Sequence, residues 1–207
     1  MKKLIIILLF SKIIFGWDIL KPENDTVLNQ TYVLFEWEQQ PNNAFYVLTV
    51  SKSDLFQESD CVIYDQYIEE SLIYIAKDIL DWDTEYWVRV RAYDNNNQST
   101  YHVNHFNTGF PIANITADIY EDDMQEGLTI FGSFFDYYSA VIDENGNEIW
   151  NSGDQDLIFY NTDKYGRFFG AEFIGNNEEN NYPGVKFSFE NGIEWQEPGV
   201  NFIHHDI

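Results

Sequence analysis

The feature that most constrains this chain is a succession of short runs in which aromatic and β-branched residues alternate with polar ones, with no sustained stripe at helical spacing. Such runs occupy residues 32–37, 44–51, 61–67, 71–75, 86–93 and 100–106, and Asn, Asp, Ser and Pro separate them. Period-two alternation half-buries a strand, so the pattern predicts packed sheets. A helix has one place to lie, 69–80, and the Ile-rich centre of that segment reads better as a strand followed by a corner. Six Trp, 14 Tyr and 17 Phe supply ample bulk for sheet cores. Cys61 is the single cysteine, so no intrachain disulfide can form and those cores must supply the stability.

The N-terminus reads as an export signal. Lys2 and Lys3 precede an unbroken apolar run, 4–10, which Lys12 and then Asp18 and Lys21 bring to an end, too short for a bilayer of about 30 Å. Residues 1–16 are therefore expected to be a signal peptide, and the protein to be exported to the periplasm, the medium or the cell surface of a bacterium. The formal charge is −24, with 5 basic against 16 acidic residues in 17–109 and 3 against 19 in 110–207. So acidic a surface repels nucleic acid phosphates and anionic lipid heads, and it keeps an exported protein soluble.

Seven or so short strands within about 90 residues predict a sandwich. In Leu80-Asp81-Trp82-Asp83-Thr84-Glu85-Tyr86-Trp87-Val88, Leu80 enters a corner and Tyr86 opens an alternating strand. A tyrosine so placed buries its ring while its hydroxyl bonds backbone at the corner. With Trp37 in the core of an earlier strand, residues 17–109 resemble a fibronectin type III module. Asp94-Asn95-Asn96-Asn97 is the expected tip between its last two strands.

Beyond this module the sequence repeats. Glu144-Asn145-Gly146, followed by Glu148 and Trp150, recurs as Glu190-Asn191-Gly192, followed by Glu194 and Trp195, 46 residues on. Each Asn-Gly predicts a two-residue hairpin with both turn positions at positive φ. A hairpin plus tryptophan on that scale is one blade of four strands, with 157–160 and 167–174 filling the other places. Residues 110–207 have room for about two blades, whereas closure takes at least about four, so the expectation is an all-β chain: a type III-like β-sandwich, then the first blades of an incomplete β-propeller.

The constellation with chemical potential is His204-His205-Asp206. On a strand His204 and Asp206 share a face, where a carboxylate can orient an imidazole. A metal site is not expected, since His102 and His105 belong to the preceding module, and no cofactor is expected either. The oxygen-rich 143–148 segment carries its Gly too early for a calcium loop. Gly127-Leu128-Thr129-Ile130-Phe131-Gly132, the stretch from Tyr137 to Trp150, and the terminal Phe202-Ile203-His204-His205-Asp206-Ile207 resemble, in order and wording, the bacterial arylsulfotransferases. That resemblance implies an exported enzyme that moves a sulfuryl group from an aryl sulfate to a phenol through a sulfated histidine. It implies that His204 or His205 contacts the sulfuryl group or phenol and that Asp206 orients it. The family's nucleophilic histidine and arginine fall in later blades, so these 207 residues alone are expected to be inactive. The competing expectation is a non-catalytic adhesion or carbohydrate-binding protein built from the same modules.

Overall fold

A computed structural model of the chain describes residues 17–69, 71–113, 127–134, 136–174 and 182–198, and it is all-β. The signal-peptide segment 1–16 lies outside the described residues. Eight strands make the first half: β1 (Ile19–Lys21), β2 (Thr26–Leu28), β3 (Val33–Trp37), β4 (Asn43–Ser51), β5 (Cys61–Ile68), β6 (Ile73–Ala76), β7 (Glu85–Asp94) and β8 (Ser99–Thr108). They form a three-stranded sheet, β1-β3-β6, and a five-stranded sheet, β2-β8-β7-β4-β5, antiparallel apart from the β2–β8 pair. The two sheets close on one core, giving a β-sandwich.

Alternation along β7 explains the packing. Tyr86, Val88, Val90 and Ala92 point inward and are buried, whereas Trp87, Arg89, Arg91 and Tyr93 point outward. Facing them are Phe35 and Trp37 of β3, and beside them in the same sheet stand Leu48 of β4 and Phe106 of β8, all buried. Tyr86 lays its ring against Phe106, with centroids 5.5 Å apart, and its hydroxyl accepts a hydrogen bond from the Asp81 backbone N–H at 2.9 Å. The corner expected from the sequence is thus present, and within the 69–80 segment Ile73–Ala76 is strand β6, which leads into that corner.

Among the described residues of the second half there are seven strands: β9 (Thr129–Ser133), β10 (Tyr138–Ile142), β11 (Glu148–Asn151), β12 (Leu157–Thr162), β13 (Phe168–Glu172), β14 (Gly184–Ser188) and β15 (Gly192–Gln196). They form two antiparallel meanders in chain order, β9-β10-β11 and β12-β13-β14-β15, and neither sheet closes. The sheets pack on Val141, Ile149, Trp150, Leu157, Val185 and Phe187. Gly132 on β9 sits directly against β12: a Cβ there would lie 2.7 Å from Phe159 N and 2.9 Å from Phe159 O.

The sandwich contributes to the first meander. Residues 29–31 lie antiparallel to β11, with Gln30 opposite Trp150, Thr31 N donating to Ile149 O at 2.9 Å and Asn151 N donating to Asn29 O at 3.0 Å. A fourth chain segment thereby extends the β9-β10-β11 sheet. At Gly153, whose φ is +57°, a Cβ would fall 2.1 Å from the Asn29 amide nitrogen, so only glycine allows this contact.

The hairpins differ from the two-residue expectation. Gly146 and Gly192 have positive φ, but Asn145 and Asn191 do not. Around Asn145 the loop is a longer one: Gly146 N bonds Asp143 O, Asp143 N bonds Asn147 O, and the Asp143 carboxylate accepts from the N–H groups of Asn145 and Asn147. This is a type I turn followed by a left-handed glycine, and a separate bulge opposite Val141/Ile142 leaves Ile149 as an extra residue on β11. The same carboxylate-headed loop recurs at Asp94, with Asn97 at φ +64°, and at Asp163, with Gly166 at φ +73°. The acidic 143–148 segment is thus explained by its turn.

The tryptophans of the repeat are not equivalent. Trp150 is buried and stacks on Phe187 of β14 and on Phe189 in the turn that follows it, whereas Trp195 is 50% exposed. Trp150 follows its loop glycine by four residues and Trp195 by three, and on a strand that one-residue difference reverses the face.

Candidate functional site

His204, His205 and Asp206 lie outside the described residues, so the structure gives their side chains no position. The two histidines it does place are structural. His105 on β8 stands between two carboxylates, with Nδ1 3.1 Å from Asp25 and Nε2 2.8 Å from Glu85, which leaves neither nitrogen open to attack or to ligate. His102 packs edge-on to Trp17 beside Asp18. No group of three or more metal-ligating side chains with the arrangement of a metal site occurs among the described residues. No helix among them is long and apolar enough to cross a membrane.

A cleft of about 730 Å³ opens where the sandwich meets the first meander, lined by Asp83, Glu85, Asn107, Phe110, Gly153 and Asp154, among others. The β7 corner and the end of β8 build its floor. Thr108 Oγ1 donates to Asp81 O at 2.7 Å and accepts from Thr84 N at 3.0 Å, while Asp83 N donates to Gly109 O at 2.7 Å. Its opposite wall hangs on Glu148, whose carboxylate accepts from the backbone N–H groups of Ile112 and Ala113 and from the Asn151 amide. Three carboxylates and no cation line this cleft, so it suits hydrogen-bond donors and repels an anionic aryl sulfate.

One carboxyl of the second half is shifted upward. Burial, with Asp156 nearby, holds the Glu172 carboxyl above its ordinary range. Its Oε2 accepts from the Gln196 amide at 2.8 Å. Next to it in sequence, Phe173 stacks on Tyr137 with centroids 4.1 Å apart, and the Tyr182 hydroxyl donates to that of Tyr137 at 3.3 Å. A half-buried carboxyl shifted in this direction moves toward the character of a general acid. Nothing in the sequence singled out Glu172, because its neighbours Asp156 and Gln196 are 16 and 24 residues away.

No protein-family model matches the chain, and no curated protein matches it. Among solved structures, an α-L-rhamnosidase from Dictyoglumus thermophilum is similar over 77% of this chain and 16% of its own length, at 14% identity and a TM-score of 0.38. This chain thus spans about a sixth of that enzyme.

Proposed function

We propose that residues 17–109 are a fibronectin type III-like module, that residues 110–207 open a β-propeller, and that the chain is the N-terminal part of an exported arylsulfotransferase-like enzyme. The observation that carries this reading is the pair of successive antiparallel meanders packed face to face, their first strands in backbone contact at Gly132. Neighbouring propeller blades meet in that way, closest at their first strands. The second meander has the four strands of a blade, and residues 29–31 bring the first to four. The Tyr86 corner supports the type III reading of the sandwich.

In this reading an imidazole nitrogen attacks the sulfur of an aryl sulfate, the S–O bond to the ring breaks, and the phenolate leaves with a proton from a neighbouring acid. A second phenol then attacks sulfur, the N–S bond breaks, and the histidine is restored. Splitting the transfer lets donor and acceptor share one site. The nucleophile belongs to later blades, His204 or His205 contacts the sulfuryl group or phenol, and Asp206 orients it. The acidic junction cleft is not this site, because its charge opposes the donor.

The test is release of the fluorescent phenol from 4-methylumbelliferyl sulfate, by the full-length protein, with a second phenol as acceptor. Transfer by the wild type and a fall of about a hundredfold or more in H204A/H205A support the reading. Absence of transfer, or an undiminished rate in the double variant, overturns it.

A further inference from the structure

Strand β2 is an outer strand of the five-stranded sheet, and it borders the junction between the sandwich and the meanders. Its backbone faces two ways. Leu28 O accepts from Gly109 N on the β8 side, whereas Asn29 O accepts from Asn151 N on the β11 side. Successive peptide groups of a strand point to opposite edges, so the N–H and C=O of Val27 turn toward the β11 side. There β11 has already ended. The chain turns away at Ser152, whose N–H bonds Ser139 O, and a slot of about 320 Å³ lies between β2 and a wall that includes Asp154, Gln155 and Phe189. Val27, Asn29 and Asp154 line both this slot and the 730 Å³ cleft, so the two form one trench around the β2 edge.

The other outer strands of the sandwich are blunted. At β1 the Asn104 amide donates to Ile19 O and Pro22 O, and at β6 the Ser71 hydroxyl bonds both the N–H and the C=O of Ile73. A left-handed Asp65, at φ +48°, breaks the line of β5. Natural sheets protect their edges with such devices, and among the described residues none of them guards Val27. The trench is also acidic. The carboxylates of Asp83 and Asp154 have no hydrogen-bond or ion-pair partner among the described residues, whereas Glu85 shares His105 and Glu190 is paired with Lys21. Phe110, 65% exposed, adds an apolar wall.

We propose that this trench takes an extended segment of a basic polypeptide, which adds a strand to β2 at Val27 and sets lysine or arginine side chains against Asp83 and Asp154. The backbone selects a peptide, because an extended chain offers a C=O and an N–H at the spacing of the Val27 N–H and C=O. The charge selects its sign. No lysine or arginine lines either part of the trench, so it repels an acidic segment, and a second copy of this chain brings a net charge of −24. A free polyamine satisfies the carboxylates but has no acceptor for the Val27 N–H. Pairing at one residue and ion pairs open to solvent make the complex weak and reversible.

The experiment measures fluorescence anisotropy of a labelled peptide of alternating Lys and Val, titrated with the full chain at about 0.15 M salt. Beside it stand the same peptide N-methylated along its backbone, a peptide of alternating Glu and Val, and spermine as a competitor. We expect the Lys peptide to bind, and the N-methylated and Glu peptides to bind at least about tenfold more weakly. Val27→Pro, and Asp83→Asn with Asp154→Asn, should each weaken the Lys peptide by about as much. Proline suits an edge position whose N–H lies outside the ladder, and unfolding midpoints equal to wild type establish that the variants are folded. Glu38→Gln with Glu69→Gln removes equal charge beside Gln39 and Asn43, at the end of the sandwich away from the junction, and should bind as wild type does. No binding of the Lys peptide overturns the proposal, as does equal binding of the N-methylated or Glu peptide. Spermine competing as tightly as the peptide, or an equal loss in the Glu38 and Glu69 variant, overturns it in favour of attraction to charge alone. Dimerisation abolished by Val27→Pro overturns it in favour of a second copy. Sulfuryl transfer plays no part in this assay, so either proposal can fail alone.

Discussion

Replacing Gly132 by alanine tests how the two meanders meet. In an open strand position this change should stabilise, by about 0.5–1 kcal/mol, because alanine has less backbone freedom to lose. At Gly132 the added Cβ would stand 2.7 Å from Phe159 N, 2.9 Å from Phe159 O and 3.0 Å from Ile158 Cγ2. Two of these three atoms are backbone within a paired strand, so they cannot swing aside as a flexible side chain would. Relief requires β9 and β12 to move apart by several tenths of an ångström, which loosens the packing around Val141, Leu157 and Phe187. Overpacking of this kind costs about 2–3 kcal/mol, and it outweighs the gain in chain entropy. The net loss is about 1–2 kcal/mol, a fall of roughly 2–8 °C in the unfolding midpoint for a chain of this length. Thermal unfolding followed by near-UV circular dichroism measures it. An unchanged or raised midpoint would show that β9 does not lie against β12, and the blade-to-blade packing behind the proposed propeller would fall with it.

Three further outcomes follow from the structure. Trp150→Ala should destabilise by about 3–5 kcal/mol, while Trp195→Ala should stay within about 0.5 kcal/mol, and equal urea midpoints for the two would refute the different faces assigned to them. Tyr86→Phe keeps the buried ring but leaves the Asp81 N–H without its acceptor, so urea unfolding should show a loss of about 1–3 kcal/mol; no loss would remove the corner hydrogen bond from the account. Burial raises the phenol pKa of Tyr46, Tyr86 and Tyr160 above the ordinary value of 10.0. Below that value the folded and unfolded chains are both protonated at these sites and the stability is fully present. Above it the unfolded chain loses protons first, so the urea midpoint should fall as pH rises from about 9 to about 11, more shallowly in Tyr86→Phe, and a flat profile would contradict the burial.

The sandwich strands were legible because each is a short alternating run whose inward residues, such as Tyr86, Val88 and Val90, must face one core. Period two is a local property, so strand positions could be read residue by residue. The turns were half legible: Asn145-Gly146 and the Asp94–Asn97 run marked two of their places, but their form depends on Asp143, Asp94 and Asp163, each of which takes two backbone N–H groups within four residues. An aspartate followed three residues later by Gly or Asn was the available signal. The junction was not legible, because the pairing of residues 29–31 with β11 and the fit of Asn29 to Gly153 join positions more than a hundred residues apart. Glu172 was hidden for a related reason, since its environment is assembled by three strands and a loop. The histidine pair was legible as chemistry alone; His204, His205 and Asp206 lie outside the described residues, and their role rests on the proposal.

The pairing of residues 29–31 with β11 sets an order of events during synthesis. The N-terminal strands emerge first, whether from the ribosome or from an export channel, and domains fold as units in that order. When β11 emerges, its partner is already held between β2 and β3, with hydrogen-bonding groups aligned for Ile149 and Asn151. The first meander therefore assembles on a template supplied by the sandwich, and a nascent β-sheet that would otherwise present a bare edge to other chains is covered as it forms.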